Sequence, residues 1–216
     1  MKSVFFFDLD GTLTDPMEGI TKSVQKALQH FGVAVEHRQV LRCYIGPPLR
    51  EQFMAHAGLT AEQAEEAVMV YRRYFGPIGI FENTVYPGIP HMLDALKQAG
   101  KTLCVASSKP KVYVDRILAH FALDGFFTIV EGSTLDGSRE RKDDIVAAAL
   151  YKLGDVPKEC ICMVGDREHD VYGAAEQGVD CVGVTYGYGS EAELRQAGAR
   201  WVVRDVCELE KLLLEI

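Results

Sequence analysis

Two short acid clusters, more than 150 residues apart, each follow a run of apolar residues. The first is Asp8-Leu9-Asp10-Gly11-Thr12 after Val4 to Phe7. The second is Gly165-Asp166-Arg167-Glu168-His169-Asp170 after Cys160 to Val164. Alternate residues of an extended chain point the same way, so Asp8 and Asp10 can face one site. Two carboxylates so close repel unless a cation or a shared proton compensates them. If a helix starts near Glu168, Asp170 falls in its first turn and faces back toward the strand end. Carboxyl oxygens converging from two strand ends make a hard-oxygen site suited to magnesium. Gly11 suits a turn that brings backbone N–H groups near an anion. Each cluster alone also reads as a strand-ending turn or a helix cap. Two such clusters at strand ends weigh against that simpler account.

Hydroxyls and cations supply the remaining chemistry. A third apolar run ends in Ser107-Ser108-Lys109-Pro110. A hydroxyl there suits a phosphate oxygen that is not transferred, or it caps the segment after Pro110. The run Arg139-Glu140-Arg141-Lys142-Asp143-Asp144 precedes a helical pattern. Taken alone, any one of its cations reads as solvated surface.

These residues need elements to position them. Strands are expected at Val4 to Phe7, Thr102 to Ala106, Phe127 to Val130, Cys160 to Val164, Asp180 to Val184 and Trp201 to Val203. Amphipathic helices are expected between them, at Ile89 to Ala99, Val112 to Phe121, Asp143 to Leu153 and Glu168 to Gln177. Near-continuous apolar strands joined by helices imply a parallel sheet covered on both faces. From about Glu18 to Tyr74 the chain reads as helical throughout, interrupted at Gly46-Pro47-Pro48, with Thr60 and Gln63 forming a capping box. The expected fold is α/β: a doubly wound, Rossmann-like parallel sheet in residues 1–15 and 86–216, with a helical cap inserted at 16–85. Ligands of such sheets gather at the carboxyl ends of the strands, where the acid clusters lie.

Composition narrows the function classes. The 216 residues carry a net charge of -8 and are 48% hydrophobic and 25% charged, an ordinary globular balance. That charge argues against an unaided nucleic-acid binder, which grips phosphates chiefly through Lys and Arg. A small phosphate ligand stays compatible with it, held by a few local cations and backbone amides. None of the six cysteines forms a Cys-x-x-Cys pair. Cys104, Cys160, Cys162 and Cys181 read as small buried hydrophobes of a reducing compartment. No apolar run reaches the ~20 residues of a membrane span. An acid at position 8 comes too early for a signal peptide, so a cytoplasmic location is expected.

The same residues carry a family resemblance. Asp-x-Asp-Gly-Thr at Asp8 to Thr12, Ser107 ending a strand, Lys142 opening a helix and Gly-Asp-x-x-x-Asp at Gly165, Asp166 and Asp170 follow one another in order. Together they resemble the four motifs of the haloacid dehalogenase superfamily, in its phosphatase branch, along essentially the whole chain. The segment Tyr44-Ile45-Gly46-Pro47-Pro48-Leu49-Arg50 is similar to the cap loop of phosphoglycolate-phosphatase-like members. One departure is Ser108, where relatives often have Asn.

The resemblance implies a magnesium-dependent phosphatase acting on a small phosphomonoester such as phosphoglycolate or a nucleoside monophosphate. It implies that Asp8 is the nucleophile and forms an aspartyl phosphate, and that Asp10 is the general acid and base. Ser107 and Lys142 would hold phosphate oxygens, and Asp8, Asp10, Asp166 and Asp170 would form the metal site, Asp10 through its backbone carbonyl. Gly11, Thr12, Ser108, Lys109 and the cap residue Arg50 are expected to contact substrate. An acid at Asp10 marks an oxygen leaving group, which needs a proton. The competing readings are a sugar phosphomutase of the same fold and a non-enzymatic phospho-Asp signalling module.

Overall fold

The computed structural model describes residues 1–216 and divides into two compact units, Met1–Asp15 with Val85–Ile216, and Pro16–Thr84. The larger unit is built on a six-stranded, wholly parallel sheet. Its strands are β1 (Val4–Phe7), β4 (Thr102–Pro110), β5 (Ile129–Ser133), β6 (Ile161–Gly165), β7 (Asp180–Val184) and β8 (Trp201–Val203), in the order β5-β4-β1-β6-β7-β8. The short extended segments β2 (Thr14–Asp15) and β3 (Thr84–Val85) lie where the chain passes from one unit to the other. Helices α4 (Ile89–Gln98), α5 (Lys111–His120), α6 (Lys142–Leu153), α7 (Glu168–Glu176), α8 (Glu191–Ala197) and α9 (Val206–Glu215) complete this unit.

Every residue of β1 is buried, as a strand covered on both faces requires. Phe6 packs with Cys104, Ala106, Ile145, Met163 and Val171, so sheet and helices share one core. Phe7 is in register with Val105 on one side and Val164 on the other. The chain winds outward from β1 to β4 and β5, then returns to the other flank for β6, β7 and β8. The winding direction therefore reverses at β1, where such sheets open a crevice beyond the strand ends. Asp8 follows β1 directly.

Some boundaries differ from the sequence reading. β4 continues to Pro110, with a register shift against β5 between Ser107 and Pro110, so Ser107 sits at an irregularity and not at a clean strand end. β5 begins at Ile129, because Asp124–Phe126 forms a 3₁₀ turn first. Cys160 ends another 3₁₀ turn and is half-buried, whereas Cys104, Cys162 and Cys181 are buried as expected.

The smaller unit contains α1 (Met17–His30), α2 (Leu49–Ala57) and α3 (Ala61–Phe75), with 3₁₀ turns at Arg38–Tyr44 and Gly79–Phe81. Ile20, Val24, Ala27 and Leu28 of α1 and Ala64, Ala67, Val68, Tyr71 and Phe75 of α3 are buried. The Thr60–Gln63 capping box is present. The segment is not helical throughout: α1 stops at His30, and Gly32 at φ +74° takes the left-handed turn that ends helices. No helix of the protein is long and apolar enough to cross a membrane.

Candidate active site

The sheet brings the chain's acids to one place. The Asp8 N–H donates to the Val164 carbonyl at 2.9 Å, which locks the end of β1 against β6. Ligand oxygens of Asp8, Asp166 and Asp170, all buried, lie within 4.8 Å of one another. Asp10 is also buried, but its carboxylate is outside that group and pairs with the buried Lys109. Its Oδ2 is held by that ammonium, whereas its Oδ1 is buried with no hydrogen-bond partner.

Lys142 is the cation that reaches the acids. Its Nζ lies 2.9 Å from Asp8 Oδ1 and 2.7 Å from Asp170 Oδ1, and donates to the Ala106 carbonyl at 3.0 Å. Its crowding neighbours go elsewhere. Arg139 Nη2 pairs with buried Glu131 at 2.9 Å, and Arg141 pairs with Asp143 near the surface. Lys142 opens α6, and Gly173 on α7 admits it, since a Cβ there would meet the Lys142 stem.

Four buried carboxylates, Asp8, Asp10, Asp166 and Asp170, face two buried ammoniums, Lys109 and Lys142. Burial is the largest influence raising Asp10, Asp166 and Asp170. Burial first, then the Asp170 and Asp8 charges, pushes Asp166 well above the usual carboxylate range. Burial raises Asp170 despite the opposing Lys142, and raises Asp10 despite Lys109. Burial works against the charge of Lys142, but Asp170 and Asp8 outweigh it and hold the ammonium above its ordinary range. Asp166 Oδ2 accepts from the Tyr188 N–H at 2.7 Å, whereas its Oδ1 is buried with no partner. A buried, orphaned carboxylate oxygen beside two further acids fits a hard divalent cation.

The remaining expected residues are placed as follows. Ser107 is buried, its Oγ accepting from the Lys109 N–H at 3.3 Å, and Ser108 is half-buried beside it. Thr12 is buried and its Oγ1 has no partner. The Gly11 N–H donates to the Thr14 carbonyl at 2.7 Å. Gly11 also permits close approach: its φ is +84°, and a Cβ there would collide with the Asp166 carboxylate. Arg50 lies in α2, half-exposed, with Nε 2.6 Å from Glu65 Oε1.

The sequence reading passed over the segment Thr185-Tyr186-Gly187-Tyr188-Gly189-Ser190. Its position after β7, at the same end of the sheet as the acids, was the available signal.

The sheet thus gathers three acids and a lysine beside the strand where its winding reverses. The haloacid dehalogenase-like hydrolase family model matches residues 5–184, and the chain belongs to that family. It is 46% identical over 207 residues to a 5'-nucleotidase of Pseudomonas aeruginosa, covering 96% of this chain and 93% of that protein. It is 44% identical over 183 residues to the tyrosine-protein kinase PtkA of Mycobacterium tuberculosis, covering 85% of this chain and 62% of that one. The crystal structure of a predicted phosphatase from Clostridium acetobutylicum matches over 100% of both chains, with a TM-score of 0.96 and 44% identity. The chain is a phosphoric monoester hydrolase of the phosphatase branch.

Proposed function

We propose that the protein is a magnesium-dependent phosphatase of small phosphomonoesters, nucleoside monophosphates first among them, acting through an aspartyl phosphate on Asp8. The gathering of Asp8, Asp166 and Asp170 beside Lys142 carries this reading. The likeness to a 5'-nucleotidase supports the choice of substrate over phosphoglycolate.

A carboxylate needs no deprotonation at neutral pH, so Asp8 is a ready nucleophile. Its oxygen attacks phosphorus, the ester P–O bond breaks, and the Asp10 carboxyl gives its proton to the departing alkoxide. A water then attacks the phosphorus of the aspartyl phosphate while the Asp10 carboxylate takes the water's proton. The bond to Asp8 breaks, and inorganic phosphate leaves. Ser107 and Lys142 hold the equatorial oxygens, where transition-state charge is spread. Asp8 and Asp166, with Asp170, would hold Mg²⁺, which supplies charge neutralisation so that an anionic nucleophile and an anionic phosphate meet.

The test is a screen of nucleoside monophosphates, phosphoglycolate and an aryl phosphate, with Mg²⁺ and with EDTA. Turnover should vanish in EDTA and return with Mg²⁺. Asp8→Asn should abolish both turnover and any hydroxylamine-sensitive protein label. A label mapped to Asp10 reverses the two roles. ATP-dependent labelling of a protein tyrosine, with no phosphate release, favours the activity in the kinase-named relative.

A further inference from the structure

The loop 185–190 packs against the acids without contributing a charge. Its glycines and tyrosines alternate, and the two sets do different work. A Cβ at Gly187 would overlap the Gly11 carbonyl and the Asp166 carboxylate, and one at Gly189 would overlap the Asp166 carbonyl. Only a bare backbone can lie this close. The tyrosines clasp the other strand end. The Tyr186 hydroxyl donates to the Thr12 carbonyl at 2.8 Å, and its ring meets Tyr86 edge-on with centroids 5.0 Å apart. The Tyr188 hydroxyl donates to Asp15 Oδ1. Both ends of the loop are pinned. The Thr185 N–H donates to the Val203 carbonyl at 3.0 Å, and Ser190 caps α8. From α8, Glu193 Oε1 accepts from Arg167 Nε at 2.8 Å and from the Glu168 N–H at 3.0 Å, bracing the turn that carries Asp170.

We propose that loop 185–190 is the positioning element of the metal centre. The Tyr188 N–H occupies one oxygen of Asp166 and leaves the other to the cation, while Tyr186, Tyr188 and the two glycines fix the distance between the Asp8 and Asp166 strand ends. Tyr188 is a positioning residue acting through Asp166. The inference rests on the metal reading above and adds which residues set the affinity.

Calorimetric titration of the full chain with Mg²⁺ tests it, beside the Tm of the metal-free protein. Partners that orient metal ligands set affinity by about 10- to 100-fold, and Gly187→Ala should raise the Mg²⁺ Kd within that range. Tyr188→Phe keeps the N–H but loses the Asp15 clasp, so its Kd should rise less, by about 3-fold or more on the same grounds. In both variants kcat on an aryl phosphate should recover at saturating Mg²⁺, with half-activation at higher concentration. If Gly187→Ala does not fold, Tyr188→Phe, which removes one hydroxyl, carries the test. Folded variants with the wild-type Kd overturn the inference, as does a kcat that saturating Mg²⁺ cannot restore. A wild-type chain that binds no Mg²⁺ overturns the metal reading itself and this inference with it.

Discussion

At the scale of single residues, the proposed proton transfer turns on the Asp10–Lys109 pair. Lys109 steadies the Asp10 carboxylate after the proton has left, while burial favours the protonated acid before it leaves. The two act on opposite forms of a group that would have to give and retake a proton. Asp10→Asn should therefore separate substrates by leaving group. A nitrophenolate departs without much protonation, so Asp8 should still be phosphorylated, whereas an alkyl phosphate should hardly react. Hydrolysis of the intermediate should slow by roughly 10²–10⁴-fold, producing a burst with the aryl substrate in rapid-quench kinetics. Equal losses for both substrates would remove Asp10 from proton transfer.

At the scale of elements, the end of the sheet opposite the acids has its own charge clamp. Lys2 is buried, donates to the Ile161 carbonyl at 2.8 Å and pairs with Asp180 Oδ2 at 2.6 Å, where Arg200 also arrives at 2.8 Å. These contacts join the chain before β1 to the starts of β6 and β7. Burial opposes the Asp180 charge, but Lys2 and Arg200 outweigh it and hold this carboxyl below its usual range. A depressed carboxylate pKa adds stability above the unfolded value of about 4, lost as pH falls through the folded value. Asp180→Asn should thus cost about 1–3 kcal/mol at pH 7, since it strands a buried ammonium. Urea unfolding should show the gap narrowing below about pH 4. A gap independent of pH would mean that packing, not charge, is at stake.

At the scale of the whole molecule, the excess of buried carboxylates over ammoniums would couple folding to the proposed metal binding. Like charges held near Asp166 oppose the fold, and the proposed divalent cation would neutralise them. A ligand that binds only the folded state stabilises it by about 2.7 kcal/mol at 100 times its Kd. For a chain of this length, each kcal/mol moves Tm by about 2–4 °C. Mg²⁺ should therefore raise Tm by about 5–10 °C, measured by calorimetry in EDTA and in excess Mg²⁺. Asp166→Asn should erase the shift and leave the metal-free Tm equal or higher, because a carboxyl whose ionisation burial and two neighbouring acids oppose is gone. A shift that survives this substitution places the cation elsewhere.

The sequence by itself determined the parallel sheet, because the buried strands are short apolar runs whose period is read locally. It likewise singled out Asp8, Asp166 and Asp170, local acid clusters after β1 and β6 that the fold brings within 4.8 Å of one another. Only tertiary structure decided which of Arg139, Arg141 and Lys142 reaches the carboxylates, since that depends on Glu131 and Asp143 claiming the other two. It alone showed that the Gly11 N–H is committed to Thr14 and that the glycine is there for the approach of Asp166. The clasp of Tyr186 and Tyr188 joins residues more than 170 positions apart, and no local pattern announces such a pairing. Strand periodicity is a property of neighbours in sequence. The partner of a charge or a hydroxyl is a property of neighbours in space.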